Sequence, residues 1–325
     1  MPEPLLDLSA PTHVHVVGVG GAGMSAIAEV LVSMGHTVSG SDLKASSGLE
    51  RLAALGVDVR VGHAADQVGG ADLVTRSTAV PDGNPECRAA IERGIPLLSR
   101  AEVLGAISGL RDTIAVAGTH GKTTTASMLA LVLREAGLRP SFIIGGDVNE
   151  IGTGAAWDEG SIFVVEADES DGSFLRLSTR YGLVTNLEPD HLEHHGGFEA
   201  LLEAFDRFVE AVEGPVVVGV DDEEGAALAA RHGTGTVGTS DGADWRLSDV
   251  QESWEGVRFT LAGPTTDAFS LDLPVPGLHN ARNAAAAAAV AVHAGAKPPD
   301  VAGALARFGG VARRFEHRGR VGGVV

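Results

Sequence analysis

One short pattern occurs twice in this chain of 325 residues: an apolar strand, a glycine-rich turn and then a helix. The first copy begins near residue 13 and has its turn at residues 18–23. The second begins near residue 113 and has its turn at residues 118–121. Strand–turn–helix units of this kind bury their strands in a parallel sheet that helices cover. The pattern therefore predicts an α/β fold built from two such sheets.

Other apolar runs of strand length alternate with segments of helical periodicity in both halves of the chain. Strands are predicted at residues 37–40, 57–61, 73–75, 96–98, 161–165, 182–185 and 215–220. Helices are predicted at residues 22–34, 49–55, 123–136, 198–212, 280–294 and 301–308. Residues 240–275 differ, because short alternating runs there predict an antiparallel hairpin on the central sheet.

The first glycine turn matches the G-x-G-x-x-G pattern at residues 18–23, after a strand and before a helix. Glycines there let the backbone approach a diphosphate, which binds at the helix N-terminus. Asp42 follows the next strand, nineteen residues after Gly23, where a carboxylate is expected to meet a ribose hydroxyl. The pattern predicts a Rossmann-like parallel-sheet domain at residues 1–110. It does not separate NAD, FAD and UDP-sugars, and a glycine-rich turn without a ligand is the alternative.

The second glycine turn reads Gly118-Thr119-His120-Gly121-Lys122-Thr123-Thr124, a shortened form of the phosphate-binding P-loop. Its glycine amides and Lys122 are expected to surround the phosphates of ATP, and the Thr123 hydroxyl to hold Mg²⁺. The chain has three lysines in all, so a lysine between glycine and threonine is a specific signal. We predict a central P-loop ATPase α/β domain at residues 111–312.

Polar clusters follow two strands of the predicted central sheet. Glu166 opens a run of carboxylates at the end of one strand, where a Mg²⁺ ligand is expected, and a solvated acidic turn is the alternative. His191 follows the next strand; with His194 and His195 it also permits a zinc site, although a surface cluster fits those two better. Asn280 is a candidate helix cap.

Two further residues are candidate nucleotide ligands. Asn283 lies one turn into the alanine-rich helix, where its amide suits an adenine edge, and the Arg314 guanidinium suits a phosphate. An ordinary surface arginine is the alternative for Arg314.

Composition excludes several classes of protein. The net charge of −19 and the lack of a basic patch argue against nucleic-acid binding. A single cysteine, Cys87, argues for a reducing compartment and hence a cytoplasmic location. No apolar run is long enough to span a membrane, and the first residues lack the pattern of a secretory signal.

Seven of these segments, taken in order, resemble the Mur ligase family of ATP-dependent enzymes of peptidoglycan precursor synthesis. They are GVGGAGMS (18–25), SGSD (39–42), GTHGKTTT (118–125), EADESDGSF (166–174), TNLEPDH (185–191), GLHNARN (277–283) and RRF (313–315). The closest branch of the family adds L-alanine to UDP-N-acetylmuramate. The resemblance implies that ATP activates the sugar carboxylate as an acyl phosphate, in a pathway that serves the cell wall, cell shape and division.

The resemblance also implies ligands for each candidate residue. Lys122, Glu166 and His191 would be catalytic, with Thr123, Glu166 and His191 holding Mg²⁺. ATP would be bound by residues of the second turn together with Asn283 and Arg314. The UDP-sugar would be bound by Gly20, Gly21, Ala22, Gly23, Met24, Ser25, Asp42, His63, Ser77 and Thr78.

One departure from the family concerns its third domain, which binds the amino acid. Residues 313–325 resemble only the start of that domain, so we expect a truncated chain that is inactive alone. Some relatives use a carbamylated lysine as a metal ligand; no lysine lies between Lys122 and Lys297, as in the alanine-adding branch.

Three other functions stay open from the sequence. A recycling ligase would attach a tripeptide to the same sugar, although its first turn usually differs from GVGGAGMS. An NAD-dependent oxidoreductase would use the first turn but leave Lys122, Glu166 and His191 without a role. A catalytically silent nucleotide-binding module would make Lys122 dispensable.

Overall fold

The computed structural model describes residues 6–169, 172–189 and 197–311. These residues divide into two compact units. The first unit ends at Arg111 and also includes Ala155–Trp157 and Arg176–Ser178, and the second contains the other described residues. The segment predicted to begin a third domain, residues 313–325, lies outside the described residues.

The first unit contains a five-stranded parallel sheet with the order β3-β2-β1-β4-β5. Its strands are β1 (His13–Val17), β2 (Thr37–Asp42), β3 (Asp58–Val61), β4 (Leu73–Arg76) and β5 (Leu97–Ser99). The order of the strands reverses between β1 and β4, and ligands of such sheets bind outside the carboxyl ends of the strands at that reversal. The prediction of a Rossmann-like parallel sheet is confirmed.

Helices α1 (Ala22–Ser33), α2 (Ser47–Ala54), α3 (Pro85–Glu92) and α4 (Arg100–Ser108) accompany this sheet. A polar side chain caps three of them: Ser46 caps α2, Asn84 caps α3 and Ser99 caps α4. The N-cap of α1 is Gly21, which has no side chain to offer the first-turn amides. The amides of Met24 and Ser25 donate to the carbonyl of Gly21, and those of Ala22 and Gly23 are the first-turn amides placed to meet an external acceptor.

The second unit contains a ten-stranded sheet with the order β15-β14-β13-β12-β11-β10-β6-β9-β7-β8. Six strands pair in parallel with one another: β6 (Asp112–Ala117), β7 (Ser141–Val148), β9 (Ile162–Glu166), β10 (Tyr181–Val184), β11 (Val216–Gly219) and β12 (Gly235–Gly238). The next strand, β13, joins β12 in parallel as well. Strand β8 (Thr153–Ala156) forms one edge. The second glycine turn follows β6, in the interior of this sheet.

The other edge is an antiparallel extension of three strands, β13 (Trp245–Glu252), β14 (Val257–Gly263) and β15 (Thr266–Leu273). The sequence predicted a two-stranded hairpin in this region, so the antiparallel character is confirmed and the number of strands is corrected. Alternate residues of β14, such as Phe259 and Leu261, are buried, which matches the two-residue period of a half-buried strand.

Helices α5 (Lys122–Glu135), α6 (Phe198–Ala211), α7 (Glu223–His232), α8 (Leu278–His293) and α9 (Pro298–Leu305) belong to the second unit, with a 3-10 turn at Ser173–Arg176. Helix α8 has alanine at 284–289, and these residues are buried, as are most residues of α5. Asn280 is not the cap of α8, because the helix begins at Leu278 after Gly277. The side-chain amide of Asn280 instead donates to the carbonyl of Pro276 (2.7 Å). Within the described ranges, no helix has the length and apolarity needed to cross a membrane.

Candidate functional site

The first glycine loop lies at the carboxyl end of β1, beside the reversal of strand order. Gly18 has a φ of +80°, and the amides of Gly18 and Val19 donate to the carbonyl of Ser41 at 2.8 and 3.0 Å. Helix α1 begins immediately after Gly21. An uncapped helix N-terminus behind a glycine loop attracts an anion. This arrangement suits the diphosphate predicted for Gly20 to Ser25.

Two of the predicted pocket residues contact this loop directly. A carboxylate oxygen of Asp42 accepts from the amide of Gly20 (2.9 Å), and a Cβ at position 20 would lie 2.8 Å from that oxygen. Ser77 follows β4, and a Cβ at Gly18 would lie 3.2 Å from the Cβ of Ser77. The structure thus brings Asp42 and Ser77 to the loop, and their contact with a ligand stays a prediction.

The other predicted pocket residues of this unit are placed differently. Thr78 is exposed in the turn that begins at Ser77, and the Ser25 hydroxyl donates to the carbonyl of Ala22 (3.0 Å) within the first turn of α1. Met24 is 2% exposed and its side chain packs in the core. A role for Met24 in ligand binding therefore stays a prediction for its backbone alone.

A buried carboxylate lies behind this site, and the sequence analysis did not identify it. Glu86, in the first turn of α3, is 0% exposed and accepts from the hydroxyl of Ser41 (2.5 Å) and the amide of Ala64 (3.2 Å). His63 Nδ1 and His15 Nε2 lie 3.3 and 3.5 Å from the same carboxylate oxygen. In the sequence, Glu86 reads as an ordinary first-turn acid of a helix after Asn84 and Pro85, so no motif marks it.

The second glycine loop requires glycine at both of its turning points. Gly118 has a φ of +128°, and a Cβ there would lie 2.1 Å from the hydroxyl oxygen of Thr185. Gly121 has a φ of +82°, and a Cβ there would lie 2.6 Å from the side-chain oxygen of Asn283. Positive φ favours glycine, and the two close approaches exclude any side chain. The predicted adenine ligand Asn283 is thus packed against the loop.

Residues after β10 hold the second loop in place. The Thr119 hydroxyl accepts from the amide of Glu188 (2.9 Å) and donates to its carbonyl (3.1 Å). The amide of His120 donates to the side-chain oxygen of Asn186, whose amide group donates to the carbonyl of His120, both at 2.9 Å. These bonds hold the loop against the segment that follows β10.

Lys122, the first residue of α5, forms a buried ion pair. Its ammonium lies 2.9 and 2.8 Å from the two carboxylate oxygens of Glu169, which is 1% exposed. It also donates to the carbonyls of Gly118 (2.7 Å) and Thr119 (3.2 Å). The sequence placed Glu169 within an acidic cluster that needs a cation nearby, and Lys122 is that cation for Glu169.

The structure brings Thr123 and Glu166 together, and their role as Mg²⁺ ligands stays a prediction. The Thr123 hydroxyl donates to one carboxylate oxygen of Glu166 (2.7 Å), and the amide of Gly145 donates to the other (2.8 Å). A hydroxyl and a carboxylate are the oxygen donors that Mg²⁺ prefers, so the pair fits that ion when phosphate oxygens complete the coordination. Within the described part of the chain, no group of three or more His, Cys, Asp or Glu side chains forms a metal site.

A cavity of about 340 Å³ lies beside the second loop, a volume that suits a small-molecule ligand. It is lined by the loop, by the segment after β10, by the carboxyl ends of β11 and β12 and by the start of α8. Residues that line it include His120, Asn186, Asp221, His279, Arg282 and Asn283. The Arg282 guanidinium pairs with Asp221 (2.7 Å), and burial raises the pKa of the neighbouring Asp222 carboxyl.

Of the other residues predicted for this site, one is described by the structure and the others are not. Thr124 lies in the first turn of α5 and is half-buried. His191 and Arg314 lie outside the described residues, as do His194 and His195 of the zinc hypothesis.

Comparison with known protein families gives two matches along the chain. Residues 13–111 match the Mur ligase family catalytic domain, and residues 116–291 match the Mur ligase middle domain. Curated relatives include the UDP-N-acetylmuramate–L-alanine ligases of Renibacterium salmoninarum and Thermobifida fusca. They are 47% and 48% identical, over 98% and 96% of this chain and 70% and 67% of their own lengths.

Solved structures give the same fold. The UDP-N-acetylmuramate-alanine ligase of Thermotoga maritima is 31% identical with a TM-score of 0.84, over 96% of this chain and 72% of that one. The UDP-N-acetylmuramate:L-alanyl-γ-D-glutamyl-meso-diaminopimelate ligase of Neisseria meningitides is 30% identical with a TM-score of 0.82, over 92% of this chain and 98% of that one.

Proposed function

This chain belongs to the Mur ligase family, and on that premise we propose that it uses ATP to join L-alanine to UDP-N-acetylmuramate in peptidoglycan precursor synthesis. The observation that carries the proposal is the convergence of Lys122, Thr123 and Glu166 at the second glycine loop. The alanine acceptor is supported by the two ligases of 47% and 48% identity, which are named for that reaction.

In the proposed reaction, an oxygen of the sugar's carboxylate attacks the γ-phosphorus of ATP. The bond from that phosphorus to the bridging oxygen breaks, which gives an acyl phosphate and ADP. The amine of L-alanine then attacks the acyl carbon and loses a proton, and inorganic phosphate leaves with the electrons of the carbon–oxygen bond. The first step brings two anions together, so positioned positive charge is the main requirement.

Lys122 meets that requirement for ATP in this proposal. Its ammonium already lies at the mouth of the loop, and it exchanges Glu169 and two loop carbonyls for phosphate oxygens when ATP binds. The first-turn amides of α5 point to the same place, since Gly121 offers no capping side chain. Asn283 and the adjoining cavity receive the adenine. Arg314 and His191 complete this proposed site on the strength of the family resemblance.

Thr123 and Glu166 would hold Mg²⁺ in this proposal, with His191 near a second ion. When bound, the ion neutralises charge on the phosphate oxygens and so lowers the barrier to attack by a carboxylate. Glu166 is oriented for this role by the amide of Gly145 and the hydroxyl of Thr123.

The first unit would bind the UDP portion of the sugar. The loop from Gly20 to Ser25 would seat the diphosphate, with the amides of Ala22 and Gly23 as its donors. Asp42, His63, Ser77 and Thr78 would line the uridine and diphosphate pocket. A cytoplasmic location belongs to the same proposal, because the single cysteine, Cys87, is a buried free thiol of the kind expected in a reducing compartment.

Calorimetric titration of this chain with UDP-N-acetylmuramate and with MgATP tests the two binding sites. We expect each ligand to bind once, and the Lys122→Ala variant to lose affinity for MgATP alone. Failure to bind the UDP-sugar while ATP binds would overturn the proposed substrate.

The acceptor is tested by phosphate release from the complete protein. The tripeptide-adding relative of known structure makes a preformed tripeptide the competing acceptor. We expect release to depend on L-alanine and on the UDP-sugar together, and turnover with the tripeptide but not with L-alanine would reverse the assignment. Quenching of intrinsic fluorescence by NADH but not by UDP would instead favour the oxidoreductase.

A further inference from the structure

The buried carboxylate of Glu86 connects four segments of the first unit. It belongs to α3, and its partners come from β1, from β2 and from the segment after β3. A further bond to the same carboxylate comes from the Gln67 side chain, once the oxygen and nitrogen of its amide are exchanged (2.6 Å). Glu86 therefore fixes the position of residues 62–67 relative to β2.

Burying a carboxylate is unfavourable unless charged or polar partners offset the loss of water. Burial would raise the pKa of Glu86, but bonds from His15, Ser41 and the Ala64 amide outweigh it and hold the pKa below its ordinary value of 4.5. The carboxylate therefore stays ionised at neutral pH. An apolar side chain of similar volume would fill the same space without this cost, so packing alone does not explain Glu86.

Ser41 connects this carboxylate to the first glycine loop. Its hydroxyl donates to Glu86, and its backbone carbonyl accepts from the amides of Gly18 and Val19. The next residue, Asp42, holds the amide of Gly20 with its carboxylate and the amide of Gly62 with its carbonyl. Residues 41 and 42 thus hold the loop in place, and Glu86 holds residue 41.

The same bonds determine the tautomer of His63. An ionised carboxylate accepts hydrogen bonds and donates none, so the Ser41 proton points to Glu86. The Ser41 oxygen lies 2.9 Å from Nδ1 of His63 and must then accept from it. Nδ1 of His63 therefore carries a proton, and Nε2 is the nitrogen left for another partner.

We propose that Glu86 is a positioning residue of the UDP-sugar site, which holds the diphosphate loop through Ser41 and orients His63 through the same hydroxyl. The inference rests on the proposed function, since it takes the ligand to be a nucleoside diphosphate sugar. Glu86 is 0% exposed, so its effect would reach a ligand through Ser41 and His63.

The chain offers a matched pair of variants for the test. Ser39 and Ser41 are buried serines two residues apart in β2, and each is bonded to a histidine, Ser39 to His13 and His15. Of the two, only Ser41 donates to Glu86 directly, whereas Ser39 reaches it through His15, whose Nε2 lies 3.5 Å from the carboxylate. Ser41→Ala and Glu86→Gln should each weaken UDP-N-acetylmuramate binding about tenfold, the equivalent of one charge-assisted hydrogen bond. Ser39→Ala should leave it within about twofold of the unchanged chain.

The dissociation constant of MgATP, measured with the same variants, is the control for a general loss of structure, which would weaken MgATP binding as well. We expect the MgATP dissociation constant to stay within about twofold in all three variants, because the bonds described for this network join residues of the first unit and the second loop belongs to the other unit. If Glu86→Gln does not fold, Ser41→Ala carries the test. Unchanged affinity for the UDP-sugar in Ser41→Ala, or an equal loss in Ser39→Ala, would overturn the positioning role. Failure of the unchanged chain to bind the UDP-sugar would overturn the proposed function itself.

Discussion

The two glycine loops share a backbone design and differ in where their polar side chains lie. Each follows a parallel strand, and each precedes a helix whose N-cap is glycine. The second loop has Lys122 and Thr123 in the first turn of its helix, in contact with Glu169 and Glu166. The first loop has no lysine or arginine of its own from residue 18 to 25 and is held from behind by Ser41 and Asp42. Its nearby cation comes from another helix, since a Cβ at Gly23 would lie 2.8 Å from Nε of Arg100 in α4.

This difference fits two different tasks: the first loop is expected to hold an anion, and the second to take part in its reaction. Backbone amides at a helix N-terminus suffice to hold a diphosphate, which only has to stay in place. Transfer of a phosphoryl group also needs mobile positive charge that follows the developing transition state. We therefore expect substitutions at the second loop to affect catalysis most, and those at the first loop to affect affinity for the sugar nucleotide.

The largest effect is expected for Lys122→Ala. Loss of the ammonium should lower the rate of phosphate release by about a thousandfold, because the transition-state charge loses its main protein partner. Lys122→Arg should recover little, since a planar guanidinium does not replace a compact ammonium here. Steady-state assays of the complete protein measure this effect, with UDP-sugar affinity as the control. A decrease in rate of less than tenfold would show that catalysis does not depend on the second loop in the way described.

A smaller loss, of about a hundredfold, is expected for Glu166→Gln. The amide keeps the bond to the Gly145 amide but loses the charge that attracts a cation. Raising the Mg²⁺ concentration should restore part of the rate, which distinguishes weakened metal binding from misfolding. Rates that do not respond to Mg²⁺ at any concentration would contradict the placement of the ion.

At the first loop, Gly20→Ala and Gly21→Ala form a matched pair. A Cβ at position 20 would lie 2.8 Å from the Asp42 carboxylate, whereas one at position 21 would have its nearest neighbour at 3.5 Å. Gly20→Ala should weaken UDP-sugar binding about tenfold by displacing Asp42, and Gly21→Ala should change it less than about threefold. Titration calorimetry measures both, and equal losses would mean that Asp42 does not set the loop.

The smallest expected effect concerns acid stability. Because Glu86 has a pKa below 4.5 in the folded chain, its contribution to stability is complete above pH 4.5 and is lost as the pH falls through the lowered value. The unfolding midpoint of Glu86→Gln should therefore lie about 2–4 °C below that of the unchanged chain at neutral pH. The gap should narrow below pH 4.5. Circular dichroism melts from pH 3 to 7 measure it, and a gap that is constant with pH would exclude the charge as its cause.

Motifs in which the reactive groups are close in sequence were predictable. The second loop fell in this class, because Gly118, Gly121, Lys122 and Thr123 lie within six residues of sequence. The contacts that hold the loop, of Gly118 with Thr185 and of Gly121 with Asn283, join distant segments and were not predicted. The strands that flank both loops were also predicted to within one or two residues, because buried parallel strands appear as short apolar runs.

Groups that meet only in the folded sheet were not predictable. Glu86 lies 45 residues from Ser41, and nothing in its own segment separates it from a helix-capping acid. Helices α3, α4 and α7 and strands β7, β8 and β12 were not assigned either. Several of these are short or rich in glycine, such as β12 (Gly235–Gly238), and tertiary contacts rather than local preference decide their structure.

The alanine run of helix α8 limits which substitutions can be accepted beside the candidate nucleotide site. The side chains at 284–289 are buried methyl groups, which have no rotamers that could adjust to an altered neighbour. The helix therefore packs closely against the residues around it. Asn283 stands at the start of that stretch, against Gly121. A larger side chain in the run would have to displace the helix or its neighbours, and Asn283 would move with the helix against Gly121. We therefore expect substitutions at 284–289 to disturb the second loop as well as the helix itself.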